Sequence, residues 1–325
     1  MLPKPGDFFA VMYHYVRPPE DSRLNFLDRD NFMLQVKWLQ ESYGVVSRSE
    51  WQSYLEGGPT PSGALLTFDD GLKDHSTYVL PILQRLNMHG AFFSCSEPLH
   101  RRPLTVHLVH YLLAQYEPEK IWAALRARGL TGKMTEFVAP EGSNAYAPQE
   151  ISAYEKAIKQ TFNWSASSEP RELWLPDIFE ETASLSPETF CDQWYMDEYD
   201  LKALQTAGHT VGSHSCSHRV MRFLSPGEVA VELRESKMQL EACTSETIRE
   251  FCFPYGGTRS YSDAVLEALV KAGYTAALSV DPRPIAVRGR EEARRFELPR
   301  YDCNLFPYGL ASSPNRVGHH TFGSE

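Results

Sequence analysis

The stretch Leu65-Leu66-Thr67-Phe68-Asp69-Asp70-Gly71 joins an apolar run to two adjacent carboxylates and a glycine. The run from Ala64 to Phe68 is short, apolar and bounded by Gly63 and Gly71, a pattern that predicts a buried β-strand. Because Gly71 permits a sharp turn, the strand would deliver both acids to one end of a sheet. Adjacent carboxylates repel each other, so we expect a metal ion, an arginine or water to neutralise them. A solvated Asp-Gly turn is the alternative interpretation.

A second stretch, 211–218, places His214 and His218 four positions apart. If this segment is helical, both imidazoles lie on one helix face, one turn apart, which suits a single metal ion. No glutamate stands between them, so the pattern is not the His-Glu-x-x-His of a zinc protease. Cys216 would point away from the pair and is not counted as a ligand. An aspartate at a strand end and two histidines predict a three-ligand site with open positions, as catalytic metals require. A polar surface is the alternative.

A third stretch, 251–257, predicts a strand that ends in a Pro-Tyr-Gly turn. In this order, the three stretches resemble the polysaccharide deacetylase family, the NodB-type domains of carbohydrate esterase family 4. The resemblance is carried by Thr-Phe-Asp-Asp-Gly at 67–71, His-x-x-x-His at 214–218 and Phe-Pro-Tyr-Gly at 253–256, with further similarity at 12–16 and 201–214. It covers residues 1–98 and 197–310 of the chain.

The resemblance implies the roles of several site residues. Asp70, His214 and His218 match the family's metal ligands, and the implied ion is divalent: zinc first, with cobalt, nickel or iron as alternatives. Asp69 matches the family's general base. The backbone N–H of Tyr255 matches its oxyanion donor.

Two further positions match the substrate site of the resembled family, and two expected features are missing. His14 and Pro254 match residues that line the substrate. Many members carry an arginine shortly before the Pro-Tyr of the third motif, paired with the base, but Cys252 and Phe253 stand there in this chain. Arg300 could supply that charge from the last strand, and a surface arginine is the alternative. The family's late Leu-x-His has no match, so the general acid is unassigned.

Strand and helix patterns alternate in both halves of the chain, which predicts an α/β fold with a parallel sheet. The resemblance specifies an irregular (β/α) barrel of the polysaccharide deacetylase type, with catalytic groups at the C-terminal ends of strands. Residues 1–98 and 197–325 are predicted to form one catalytic domain, the latter including a polar tail from Ser312. Residues 99–196 show helical patterns only and are predicted to be a helical insertion. Its role stays open between a lid, a selector of substrate length and a dimer contact.

The composition of the chain limits the kinds of binding partner and the cellular location that we expect. The chain has 325 residues, 42% of them hydrophobic, enough for a large core, and a formal net charge of −10. That charge argues against nucleic acid or an anionic membrane as the main partner. No apolar run reaches the roughly 20 residues of a membrane span, and the N-terminal sequence does not resemble a signal peptide. The six cysteines lack CxxC spacing, so we expect reduced thiols and a cytoplasmic location.

These observations predict metal-dependent hydrolysis of the N-acetyl or N-formyl group of an amino sugar. The expected substrate is an intracellular intermediate of surface polysaccharide or glycoconjugate biosynthesis. One alternative is a non-haem iron oxygenase, which also uses two histidines and a carboxylate, although its usual His-x-Asp spacing is absent. A catalytically idle carbohydrate-binding relative is the other. The sugar, its carrier and the oligomeric state stay open.

Overall fold

The computed structural model describes residues 2–19, 24–132, 134, 151–165, 167–183, 185–286 and 295–310. The predicted polar tail from Ser312 lies outside these residues. The strands of the described ranges are β1 (Phe8–Tyr13), β2 (Val16–Arg17), β3 (Leu27–Asp28), β4 (Gly63–Phe68), β5 (Gly90–Ser94), β6 (Thr210–Ser213), β7 (Glu250–Cys252), β8 (Ala276–Leu278) and β9 (Arg300–Asp302). β1 and β4 are buried along their whole length, as their continuous apolar sequences require of parallel strands covered on both faces.

Seven of these strands form one parallel sheet in the order β8-β7-β6-β5-β4-β1-β9. The sheet is nearly closed, because a parallel bridge joins Leu278 of β8 to Leu298, just before β9. β2 and β3 form a separate parallel pair. The prediction of an α/β fold with an irregular (β/α) barrel is therefore confirmed.

The described helices follow the alternation predicted for the two halves of the chain. They are α1 (Arg29–Ser42), α2 (Arg48–Leu55), α3 (Leu80–Leu86), α4 (Thr105–Gln115), α5 (Pro118–Ala127), α6 (Ala153–Asn163), α7 (Leu175–Ala183), α8 (Pro187–Trp194), α9 (Glu198–Thr206), α10 (Pro226–Thr244) and α11 (Asp263–Lys271). Among the described helices, none combines the length and the apolar character needed to cross a membrane.

Helices α4 to α8 lie within the stretch 99–196 that was predicted to be inserted. They pack around an apolar core of their own, which includes Val109, Phe179 and Phe190. The stretch nevertheless returns to the barrel beside the Asp-Asp-Gly turn, where the Met196 N–H donates to the Gly71 carbonyl over 2.9 Å. The helices of this stretch are thus anchored at the end of the sheet that carries the predicted site.

Candidate metal centre

The predicted site residues meet at the C-terminal end of the barrel strands. Asp69 and Asp70 follow β4 directly, and His214 follows β6. Tyr255 lies in the turn after β7, and His14 follows β1. Because neighbouring parallel strands end at the same edge, residues far apart in sequence come together here.

The same loops contain residues with strained backbone. Asp70, Ser215, His218 and Tyr255 have positive φ values of 78°, 69°, 56° and 61°. Residues other than glycine rarely adopt this region, and it costs free energy unless the surroundings impose it. Strain of this kind is common where a site must aim side chains in directions that a regular strand does not allow. The positive φ of Asp70 explains how both adjacent carboxylates can reach the site.

Asp70, His214 and His218 form a compact buried cluster. Their potential ligand atoms lie within 4.8 Å of one another. The Nε2 atoms of both histidines are 3.3 Å from Asp70 Oδ1. All three residues are at least nine-tenths buried. Burial alone would raise the pKa of Asp70, but the surrounding imidazoles outweigh it and hold that pKa well below its usual value.

The hydrogen bonding of this cluster fits a cation between the three side chains. His214 Nδ1 lies 2.8 Å from the Cys252 carbonyl oxygen, which can only accept, so Nδ1 carries a proton. Burial alone would lower the pKa of His214, but Cys252 and the two aspartates outweigh it and hold that pKa well above its usual value, which favours a second proton on Nε2 when no cation is bound. A cation would displace that proton and leave the Nε2 lone pair facing Asp70 Oδ1, an atom with no hydrogen-bond partner among the described residues. Two electron-pair donors facing each other in a buried site are the arrangement that a divalent metal ion satisfies.

A second group, formed by Asp69, His214 and Cys252, also has its potential ligand atoms within 4.8 Å of one another. Both Asp69 oxygens are already bound by the Arg300 guanidinium, at 2.8 Å and 2.7 Å. This group is therefore a weaker candidate for metal binding than the group formed by Asp70, His214 and His218.

Arg300 is buried in the barrel and forms a bidentate ion pair with Asp69. It also donates to Thr67 Oγ1 over 3.1 Å and to the Ser279 carbonyl over 3.3 Å. Burial alone would raise the pKa of Asp69, but the Arg300 charge outweighs it and keeps that pKa below its ordinary value. The charge that the third motif lacks is thus supplied from β9, and the alternative of a surface arginine is wrong.

The remaining predicted residues surround this core. His14 Nε2 lies 4.0 Å from Asp69 Oδ2, and its side chain is 40% exposed, so the site opens towards solvent on this side. The Tyr255 ring packs edge-on against the His218 ring, with 4.8 Å between centroids. Pro254 is buried next to it. The structure brings all eight predicted site residues to one end of the barrel.

The helical interpretation of the histidine pair is wrong. β6 ends at Ser213, and residues 214–218 form a loop rather than a helix. Left-handed backbone at Ser215 and His218 turns the chain back, and this brings the two rings within 5.0 Å of each other. Cys216 does point away from the pair, with its sulfur 3.4 Å from the Glu232 carbonyl.

Sequence reasoning missed one residue of the centre, His107. This histidine lies on α4, within the stretch 99–196 that was predicted to be an insertion, and its Nε2 is 3.1 Å from Asp70 Oδ2. The signal was present in the sequence, because His107 stands among valines and leucines in a helix whose neighbouring residues are buried. A histidine in such a setting needs a polar partner.

Comparisons with known proteins agree with this fold. A family model described as "Polysaccharide deacetylase" matches residues 56–129 and 184–277, just over half of the chain. A comparison with curated protein sequences found no match.

Three similar solved structures share the fold. The deacetylase PplD of Streptococcus pyogenes, in complex with acetate, has a TM-score of 0.54 and 15% identity over 92% of this chain and 93% of that one. The BpsB deacetylase domain of Bordetella bronchiseptica has a TM-score of 0.51 and 16% identity over 92% and 98%. IcaB from Ammonifex degensii has a TM-score of 0.50 and 15% identity over 96% and 94%. With the family model covering both halves of the barrel, the chain belongs to the polysaccharide deacetylase family.

Proposed function

We propose that this protein hydrolyses the N-acetyl or N-formyl group of an amino sugar and that the reaction depends on a divalent metal ion. Family membership supports deacetylation of a carbohydrate. The observation that carries the proposal is the pair of adjacent aspartates in different environments, Asp70 among imidazoles and Asp69 on Arg300. One carboxylate is arranged to bind a cation and the other to accept a proton.

Asp70, His214 and His218 would hold the ion, with zinc as our first choice and cobalt, nickel or iron as alternatives. The bound ion would lower the pKa of a water molecule and polarise the acyl carbonyl. Three protein ligands leave coordination positions open for those groups.

Asp69 would take the proton of the attacking water. Only the ionised carboxylate can do so, and the Arg300 ion pair keeps Asp69 ionised despite its burial. The bidentate contact also fixes the orientation of the carboxylate. Arg300 therefore supports the base without contacting the substrate.

The Tyr255 backbone N–H would donate to the oxyanion of the tetrahedral intermediate, as backbone donors do in other acyl-transfer sites. Two observations support this role. The Tyr255 ring packs on the His218 ring, and the Tyr255 backbone adopts the left-handed conformation. His14 and Pro254 would contact the sugar beside it.

An acetamido sugar is the proposed substrate, as an intermediate of surface polysaccharide or glycoconjugate biosynthesis. We also propose a cytoplasmic location, and the six free cysteines, five of them buried, support a reducing compartment. Fractionation of cells that express the tagged native chain, blotted against markers of each compartment, tests the location.

A product screen tests the activity. Metal-loaded protein is incubated with free, nucleotide-linked, lipid-linked and polymeric acetamido sugars, and the products are analysed by mass spectrometry together with an assay for released acetate. The expected result is a mass loss equal to one acetyl group replaced by hydrogen, with stoichiometric acetate. Formate release would identify the N-formyl alternative.

Two further measurements on the same samples, oxygen consumption and sugar binding, separate the other two candidates. Oxygen consumption that requires iron, without acyl release, would favour the oxygenase. Sugar binding with bound metal and no turnover on any carrier would favour the idle carbohydrate-binding relative. Two features suggested the idle relative, the missing arginine and the unassigned general acid. The buried Arg300–Asp69 pair removes the first of them.

A further inference from the structure

We infer that His107 and Tyr195, both from the inserted stretch 99–196, position Asp70 and thereby set how tightly the centre holds its metal ion. The inference rests on the proposed metal-dependent function and adds to it two residues that belong to none of the three motifs. It also gives the inserted helices a role in the chemistry of the barrel.

The two oxygens of Asp70 face different partners. Oδ1 lies 3.3 Å from the Nε2 atoms of both His214 and His218. Oδ2 lies 3.1 Å from His107 Nε2, and the His107 side chain is fully buried. One oxygen is thus free to bind an ion with the two histidines while the other is held by α4.

A chain of hydrogen bonds with one direction ends at this carboxylate. The Leu104 backbone N–H donates to the Tyr195 hydroxyl oxygen over 3.0 Å, and that hydroxyl lies 2.7 Å from His107 Nδ1. Because an ionised carboxylate only accepts, His107 Nε2 carries the proton that Asp70 receives. With the proton on Nε2, Nδ1 can accept from the Tyr195 hydroxyl. Each group donates towards Asp70, so the contacts reinforce one another.

His107 is not a fourth ligand in this arrangement. The groups of described residues whose ligand atoms all lie within 4.8 Å of one another contain Asp70 with His214 and His218, but not His107. His107 therefore acts on the ion through Asp70. Partners that hydrogen-bond to a metal ligand fix its orientation, and their loss typically reduces metal affinity or activity by about 10- to 100-fold.

The stretch 99–196 contacts the Asp-Asp-Gly turn through Tyr195 and the residue that follows it. Tyr195 forms an antiparallel bridge with Leu72, and the next residue, Met196, donates to the Gly71 carbonyl over 2.9 Å. Leu104, at the start of α4, and Tyr195, after α8, meet at the same hydroxyl group. The beginning and the end of the inserted helices are therefore joined within two hydrogen bonds of Asp70.

Zinc affinity of the full-length protein tests the inference, measured by competition with a chromophoric chelator. His107→Leu removes the donor and should weaken zinc binding by about 10- to 100-fold. His107→Gln places an amide N–H near the position of Nε2 and should restore part of that loss. Tyr195→Phe keeps the ring but removes the hydroxyl, and we expect an intermediate loss.

His89→Gln is the matched control. His89 is also buried, and its Nε2 lies 3.0 Å from Thr210 Oγ1 at the opposite end of the barrel. Its substitution should leave zinc affinity unchanged, whatever it does to stability.

The outcomes separate this inference from the proposed function. A parent protein that binds zinc and hydrolyses its substrate, with His107→Leu binding zinc equally well, overturns the inference alone. A parent that binds none of the candidate divalent ions overturns both. If His107→Leu does not fold, unchanged zinc affinity in both His107→Gln and Tyr195→Phe overturns the inference.

Discussion

Both ends of the barrel bury carboxyl groups, but those at the C-terminal end have guanidinium and imidazole neighbours that favour the ionised form. There Asp69 is paired with Arg300, and Asp70 lies among imidazoles, so the pKa of each aspartate is held below its ordinary value. At the N-terminal end Glu250 opens β7, and burial raises its pKa to about 7.

The histidines at the N-terminal end follow the same rule as Glu250. Burial lowers the pKa of His89 to about 3 and that of His209 to about 4, so both are neutral at physiological pH. His209 Nδ1 accepts from the Gly90 N–H over 3.2 Å, a role that suits the neutral ring. A shifted pKa is thus present at both ends and does not identify the site by itself. Two features distinguish the C-terminal end: the Asp69–Arg300 ion pair and, beside it, Asp70 Oδ1, which has no hydrogen-bond partner among the described residues.

The largest expected effect comes from separating Asp69 and Asp70. Asp70→Asn should lose both metal and activity, because it removes an anionic ligand. Asp69→Asn should keep metal and substrate affinity while turnover falls by about 10² to 10⁴, the usual contribution of a positioned base. Metal analysis and steady-state kinetics on one substrate compare the two. Glu250→Gln, at the other end of the barrel, is the control and should change neither quantity.

High concentrations of zinc or cobalt should partly rescue Asp70→Asn but not Asp69→Asn. If Asp69→Asn loses its metal and Asp70→Asn retains it, the two roles are exchanged. If both retain metal and full turnover, this strand end is only a turn and the site has been assigned wrongly.

Removing Arg300 should make the C-terminal end resemble the other end, with a buried carboxylate and no counter-charge. Arg300→Met leaves Asp69 unpaired, and breaking a buried pair from one side costs about 3–5 kcal/mol of unfolding free energy. Urea unfolding monitored by circular dichroism measures the loss. The control is Arg249→Met, which breaks the exposed pair with Glu56 and should cost no more than about 1 kcal/mol. An equal loss of unfolding free energy in the two variants would show that the buried pair stabilises the protein no more than the exposed pair does.

Buried Glu250 at the N-terminal end should make the free energy of unfolding fall as the pH rises. Its pKa is about 7 in the folded protein against an ordinary value of 4.5. The folded state therefore holds the proton more tightly, and the resulting stability is lost as the pH rises through about 7. Glu250→Gln cannot ionise, so at pH 8.5 it should be more stable than the parent by up to about 3 kcal/mol, a difference that disappears near pH 4.

Urea unfolding at several pH values across this range tests the prediction. Glu267→Gln changes an exposed glutamate and should follow the parent at every pH. A parent whose stability relative to Glu250→Gln does not decline between about pH 4.5 and pH 7 would show that Glu250 ionises without penalty.

Sequence patterns located the site where its signals were local. The apolar run before Asp69 predicted β4, and its acids stand at the strand end as expected. The path of the chain from His214 to His218 could not be predicted, because left-handed backbone at Ser215 departs from the regular helix that the spacing suggested.

Other parts of the site depend on contacts between distant segments. Arg300 lies 231 positions from Asp69, and only closure of the barrel brings them together. The contact of His107 with Asp70 depends on how helix α4 packs on the barrel, which no local pattern encodes. The family resemblance named the candidate ligands, whereas the groups that contact those residues required the structure.

The smallest expected effect concerns Cys216, which stands between the two predicted histidine ligands without joining them. Burial raises the pKa of its thiol to about 12, so it is neutral, and its sulfur contacts the Glu232 carbonyl instead of the metal cluster. Serine can make the same contact, so Cys216→Ser should keep at least about half of the parent's activity, as is usual for mild substitutions. Kinetics and metal analysis on the same preparations check this. Abolished turnover with full metal content would mean that a buried group without a charged partner takes part in the chemistry. The contrast between the two ends of the barrel would then no longer separate functional from structural ionisable groups.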